Sequence, residues 1–187
     1  MLTLREATAE DALLISRINA ASWRHAYQGI IDAEYLRRLP DDYWLPTTRA
    51  WLESGRLYGL IALEDGRPIG SALFGRGRDE AYGDWWELVS IYLLPGKTRL
   101  KVGSALLTEA DRLMREEGYT RSYVWAIEGN IGAEAFYLRH GYRDSGERIT
   151  YRIGSGEVTD VRYIREDLCQ DNAHSKIDSP IMPDYAL

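Results

Sequence analysis

The segment of this sequence best suited to chemistry is a run of basic and small residues between positions 97 and 104. Lys97, Arg99 and Lys101 stand in a short stretch, PGKTRLK, and Gly103 and Ser104 open the amphipathic run that follows. A helix starting there would carry free N–H groups and the positive end of its dipole, and both attract anions. Gly103 would let a ligand approach the backbone closely, and Ser104 adds a hydroxyl donor. Together these groups fit a pyrophosphate. The segment is not a P-loop, which ends in Gly-Lys-Ser/Thr, nor the three-glycine dinucleotide fingerprint. A surface loop with solvated cations before a structural helix fits the same residues, and the segment alone leaves both readings open.

A carboxylate and a phenol come next. Glu87, Val89, Ile91 and Leu93 are expected to share one face of a strand by its two-residue period. Glu87 would then head an apolar row, partly desolvated, and serve as a base near neutral pH, directly or through water. A strand-end glutamate bonded to an arginine or a backbone amide fits the same pattern. In NIGAEAFYLRHGY, Asn130 is placed to cap a helix. Ala133, Phe136 and Tyr137 fall near one face of it, and Gly141 stops it. By its residues alone this is a capped helix with an aromatic core face. His25, His140 and His174 lack metal-ligand spacing, and the one cysteine, Cys169, falls in the C-terminal tail. No metal site and no cysteine nucleophile are expected, and no Gly-x-Ser-x-Gly elbow occurs.

The elements that must position these groups follow from local pattern. Residues 2–6 alternate as a short strand, and Thr8 with Asp11 caps a helix carrying Leu14, Ile15, Ile18 and Ala21. Asp32 caps a second helix that ends at Pro40, and residues 47–52 form a third short one. Residues 57–63 and 68–74 flank Glu64-Asp65-Gly66-Arg67 as a hairpin, and residues 75–83 are a polar loop. A strong strand over 85–94 leads through the basic loop into a helix over 102–117, whose Val102, Leu106, Ala110, Leu113 and Met114 share a face. A strand at 122–127, a helix at 130–140 and a closing hairpin of 147–153 with 158–165 complete the order. This order predicts a mixed α/β domain over residues 1–168, a twisted and mostly antiparallel sheet with helices on both faces. Residues 169–187 lose all periodicity and read as an extended tail, either disordered or packed on a partner subunit.

The bulk properties narrow the class. A chain of 187 residues with 45% hydrophobic content fits one globular domain that needs no disulfide, and its single cysteine permits no internal one. That suits a reducing compartment, the cytoplasm. The net charge of −6 leaves no basic stripe for nucleic acid. No apolar run is long enough for a membrane span, and the N-terminus lacks the apolar core of a signal peptide.

Residues 87–107 resemble the acetyl-CoA-binding motif of the GNAT superfamily of N-acetyltransferases. Ile91-Tyr92-Leu93 and Pro95 match its strand end, and Gly103-Ser104-Ala105-Leu106-Leu107 match its helix start. Thr98 stands where the family has Arg or Gln, and Lys101 where it has its first glycine. The segment Asn130 to Tyr142 is similar to the family's later motif, and Trp23 to Ile30 to a stretch common in one branch. The resemblance implies direct acetyl transfer from acetyl-CoA to a primary amine. It implies cofactor contacts from Ile91, Tyr92 and Leu93, from Arg99, Leu100, Lys101, Val102, Gly103 and Ser104, and from Asn130, Ala133, Phe136 and Tyr137. A backbone N–H near Leu93 would polarise the thioester carbonyl, and Tyr137 would protonate the departing thiolate. The acceptor pocket would involve Trp23, Tyr27, Trp85 and Glu87, with other aromatics forming core or a homodimer face. A small-molecule or peptide amine is the implied substrate, its identity open. A non-catalytic acyl-CoA sensor and a degenerate scaffold are the competing readings.

Overall fold

The computed structural model of the chain describes residues 1–98 and 101–166. Arg99, Leu100 and the tail with Cys169 and His174 lie outside the described residues. Seven strands form one sheet: β1 (Leu2–Glu6), β2 (Leu57–Glu64), β3 (Arg67–Arg76), β4 (Trp86–Leu93), β5 (Arg121–Ile127), β6 (Arg143–Ile153) and β7 (Gly156–Glu166). The helices are α1 (Ala12–Ala26), α2 (Ala33–Arg38), α3 (Leu45–Glu53), α4 (Val102–Glu116) and α5 (Ile131–Arg139). Among the described residues the strand order is β1-β2-β3-β4-β5-β7-β6, and only the β4–β5 pair is parallel.

Local chemistry sets several boundaries. Asp65 and Gly66, with φ of 49° and 77°, make the two-residue turn between Glu64 and Arg67 that joins β2 to β3. Asp32 accepts a hydrogen bond from the Tyr35 amide at 2.7 Å, and Asn130 one from the Ala133 amide at 3.1 Å, so each caps its helix. The expected mixed sheet with helices on both faces is the architecture found. On one face Leu60, Ala72, Phe74 and Leu88 pack against Leu106, Leu107, Ala110 and Met114 of α4. On the other, Leu57, Ile61 and Leu73 pack against Ile15 of α1 and Trp51 and Leu52 of α3.

Thr8 and Asp11 cap a 3-10 turn over Ala9–Asp11, with α1 following from Ala12, and three further details differ from the sequence reading. The polar loop before β4 contains a 3-10 turn at Glu80–Tyr82. β6 begins at Arg143, because a register shift between Asp144 and Arg148 breaks the alternation that would have marked its start. The third lies in β4 and shapes the site. Among the described residues, no helix is long and apolar enough to cross a membrane.

Candidate active site

β4 and β5 pair only at Trp86 with Ser122 and Glu87 with Tyr123, and then part. The divergence begins where β4 carries a bulge on its other edge. Leu88 pairs with Phe74 and Ser90 with Leu73, so Val89 is the extra residue. A bulge bends its strand and sharpens its twist. The backbone of β4 beyond Glu87 therefore presents an edge that no described strand pairs. The Leu94 amide donates to the Ile69 carbonyl at 2.9 Å, on the β3 side. By strand alternation the Leu93 N–H faces the opposite way, into the gap.

The bulge also overturns the expectation that Glu87, Val89, Ile91 and Leu93 share a face. Val89 packs with Ile15 and Leu73, whereas Ile91 and Leu93 pack with the α4 core. The phase of the alternation flips at the inserted residue, which a two-residue count cannot register.

The start of α4 borders the same gap. Lys101 occupies its N-cap at φ 62°, a left-handed conformation. A side chain on Gly103 would put its Cβ 3.2 Å from Phe136, so this glycine leaves room for a ring of α5. Ser104 Oγ lies 3.0 Å from Nε2 of His140, whose Nδ1 is 2.7 Å from the Phe136 carbonyl. These contacts fasten the N-terminal turn of α4 to α5. Lys97 pairs with Glu64 of β2.

Three elements converge on a tyrosine-rich recess where β4 parts from β5, with Tyr27 and Tyr92 in the cluster on the α1 side and Tyr137 in the core on the α4 side. Trp23 and Tyr27 of α1 meet edge to face at 4.9 Å, and the Tyr27 hydroxyl lies 3.4 Å from that of Tyr92 on β4. Burial pushes the phenols of Tyr27 and Tyr92 upward, and for Tyr27 the nearby Tyr92 adds to it. Tyr137 of α5 is buried, ringed by Phe136, Tyr142 and Tyr163, and its phenol is likewise raised, first by burial and then by Tyr92. It therefore holds its proton firmly at neutral pH.

The same recess contains a carboxylate that the sequence reading passed over. Asp160 of β7 is only 7% exposed. Its Oδ2 accepts from the Tyr151 hydroxyl at 3.1 Å, while Oδ1 is buried with no hydrogen-bond partner among the described residues. Burial pushes its carboxyl up to about 6, against the opposing pull of the Tyr151 hydrogen bond. One sequence signal pointed to it. Val158, Asp160, Arg162 and Ile164 form the inward row of β7, where an acid is out of place.

Glu87 and Trp85 are not part of this recess. They lie at the opposite end of β4 from Tyr92, on the order of 20 Å away along the strand. Glu87 is 1% exposed. Its oxygens accept from Arg78 Nη2 at 2.6 Å, Arg78 Nε at 2.9 Å, the Tyr123 hydroxyl at 2.9 Å and the Arg78 amide at 3.1 Å. Trp85 packs on Tyr82 and lies under the Arg121 guanidinium at 4.9 Å. The structure thus brings Trp23, Tyr27, Tyr92 and Tyr137 together and leaves Glu87 and Trp85 in a separate cluster.

Comparison with known proteins gives a consistent result. The family described as "Acetyltransferase (GNAT) family" matches residues 22–142. The chain is 35% identical over 136 residues to the uncharacterized N-acetyltransferase YuaI of Bacillus subtilis (strain 168), covering 70% of this chain and 74% of that protein. It is 23% identical over 149 residues to a spermidine N(1)-acetyltransferase of Thermoplasma acidophilum, covering 76% of this chain and 88% of that protein. In three dimensions it is similar to the PaiA N-acetyltransferase of Thermoplasma acidophilum in complex with coenzyme A, with a TM-score of 0.70 at 22% identity. That match covers 89% of this chain and 99% of the other. A structure of yncA from Salmonella typhimurium with its cofactor acetyl-CoA matches with a TM-score of 0.69 at 20% identity, over 92% and 96% of the two chains.

Proposed function

Because this chain belongs to the acetyltransferase (GNAT) family of N-acetyltransferases, we propose that it moves the acetyl group of acetyl-CoA directly onto a primary amine. The observation that carries this reading is the parting of β4 and β5 after two paired residues, next to the start of α4. An extended ligand with amide groups can hydrogen-bond an unpaired strand edge as a further strand would. The N-terminal turn of α4 offers N–H groups to a pyrophosphate, with Lys101 beside it. The residues present fit the cofactor. Ser90 supports the fit, since its hydroxyl is buried on β4 beside the gap with no partner among the described residues.

Acetyl-CoA, when bound, supplies a thioester-activated acetyl group, whose transfer yields an amide and a free thiol. The residues around the gap divide the remaining work. The Leu93 N–H faces the gap as a fixed donor for developing negative charge. Tyr137 keeps its phenol protonated at neutral pH, which leaves a hydroxyl to hydrogen-bond a departing thiolate and relay a proton to it. Trp23, Tyr27 and Tyr92 present aromatic surface on the acceptor side, where a cationic amine is attracted to ring faces.

The test is calorimetric titration with acetyl-CoA, free CoA and desulfo-CoA, followed by thiol release with a panel of amines. The panel includes spermidine, because a relative acts on it. Micromolar binding with amine-dependent thiol release supports the reading. Binding without thiol release for any amine leaves an acyl-CoA sensor, and no binding up to millimolar concentration overturns the proposal.

A further inference from the structure

We propose that Asp160 receives the ammonium group of the acceptor and takes its proton, and that the acceptor is an alkylamine with no carboxylate beside the reacting nitrogen. This rests on the acetyl-transfer reading above and extends it to a residue and a substrate class.

The first ground is an unmet hydrogen bond. Asp160 Oδ1 is buried without a partner among the described residues, while Oδ2 is held by Tyr151. A carboxylate oxygen in that condition lacks a donor, and an ammonium N–H is one. The second ground is its surroundings. The titratable groups near Asp160 are phenols: Tyr151 from β6, which bonds it, and Tyr27 at the end of α1 and Tyr92 from β4, which feel its charge. Tyr35 of α2 acts on Tyr151, and Tyr137 of α5 on Tyr27. Arg162, two residues on along β7, is bound to Asp79 and Glu147 and stacked at 3.9 Å on Tyr82 and 4.3 Å on Trp125. The recess thus combines one acid with aromatic faces, and the cation two residues along the same strand is committed elsewhere. That combination favours an organic cation and disfavours a ligand bearing its own carboxylate.

The proton count closes. The acceptor enters as R–NH3⁺ and gives one proton to the ionised Asp160, leaving R–NH2 and a neutral carboxyl. The amine lone pair forms the N–C bond as the C–S bond breaks. The nitrogen passes its second proton to the Tyr137 oxygen as the Tyr137 hydroxyl proton goes to the departing sulfur, so the phenol ends neutral, and Asp160 returns its proton to solvent. With its carboxyl raised to about 6, Asp160 is ionised at neutral pH and retains a useful affinity for a proton.

The experiment compares wild type with Asp160→Asn and Tyr151→Phe, reading acetyl-CoA binding by calorimetry and thiol release with 1,4-diaminobutane and with alanine from pH 5 to 9. Wild type should acetylate the diamine in strong preference to alanine, with activity rising through an acid limb near pH 6. Asp160→Asn should bind acetyl-CoA as wild type does, lose about a hundredfold in kcat/KM for the diamine, and lose the acid limb. Tyr151→Phe removes the bond that favours the ionised carboxylate, so it should keep the limb and move it to higher pH. A purely structural role for Asp160 would not produce that shift. Wild-type kcat/KM and an intact limb in Asp160→Asn would overturn the proposal, as would preference for alanine over the diamine. Failure of the wild type to bind acetyl-CoA would instead overturn the acetyl-transfer reading.

Discussion

Burial acts on Tyr137 and Asp160 in the same sense, favouring the neutral form of each, and the consequences are opposite. The phenol becomes a firm proton holder and the carboxylate a reluctant anion. Tyr137→Phe removes one oxygen from a well-packed ring. We expect kcat to fall by about a hundredfold while acetyl-CoA affinity stays within about twofold, as thiol release and calorimetry would report. An unchanged kcat would reduce the tyrosine to a core residue. For Asp160 the consequence reaches stability. Its folded-state value is raised from 3.8 to about 6, so the neutral carboxyl favours folding. That contribution is complete below pH 3.8 and is lost as pH rises through about 6. It amounts to on the order of 3 kcal/mol at 1.36 kcal/mol for each tenfold change in proton affinity. Urea unfolding at pH 4 and pH 7 should show this loss in the wild type relative to Asp160→Asn, with the variant the more stable of the two at pH 7. Equal pH dependence in the two proteins would contradict it.

At the level of elements, the N-terminus of α4 carries a visible strain. Lys101 holds φ 62°, a region that costs an ordinary L-residue about 1–2 kcal/mol. Glycine adopts it freely but loses more backbone entropy on folding, roughly 0.5–1 kcal/mol. Lys101→Gly should therefore stabilise the fold modestly, by about 0.5–1 kcal/mol, seen as a higher urea midpoint at unchanged m-value. A lower midpoint would mean that the lysine side chain makes contacts that outweigh the strain. The same helix shows what a sequence can reveal. Its apolar face, the Asp65-Gly66 turn and the Asp32 and Asn130 caps depend on neighbours within a few residues, and all were legible. Gly103 was legible as special, yet the ring that requires it, Phe136, lies on another element. The bulge at Val89 depends on how β3 and β4 pair, and the row Glu87, Val89, Ile91, Leu93 reads as regular without it. Asp160 meets Tyr27 and Tyr92 only after α1, β4 and β7 have assembled, so its one local trace was an acid in an inward row.

Across the whole molecule the sheet is two half-sheets, β1 to β4 and β5-β7-β6, joined by a two-residue parallel seam. The gap that opens beyond the seam holds its angle only if the seam itself is fixed. Glu87 sits at that vertex. It binds Arg78 from the β3–β4 connection and Tyr123 from β5, tying three segments across the junction with a buried ion pair. This gives Glu87 a reason to be there that requires no proton transfer. Glu87→Gln would remove one charge of this buried ion pair, a change that typically costs 3–5 kcal/mol. For a domain of this size that is a fall of about 10 °C in Tm. Measured well below its Tm, the variant should keep kcat within about threefold of wild type and retain the acid limb assigned to Asp160. The opposite pattern, an unchanged Tm with kcat down a hundredfold and the limb gone, would return the role of base to Glu87 and make the seam, rather than the tyrosine recess, the place where the amine is deprotonated.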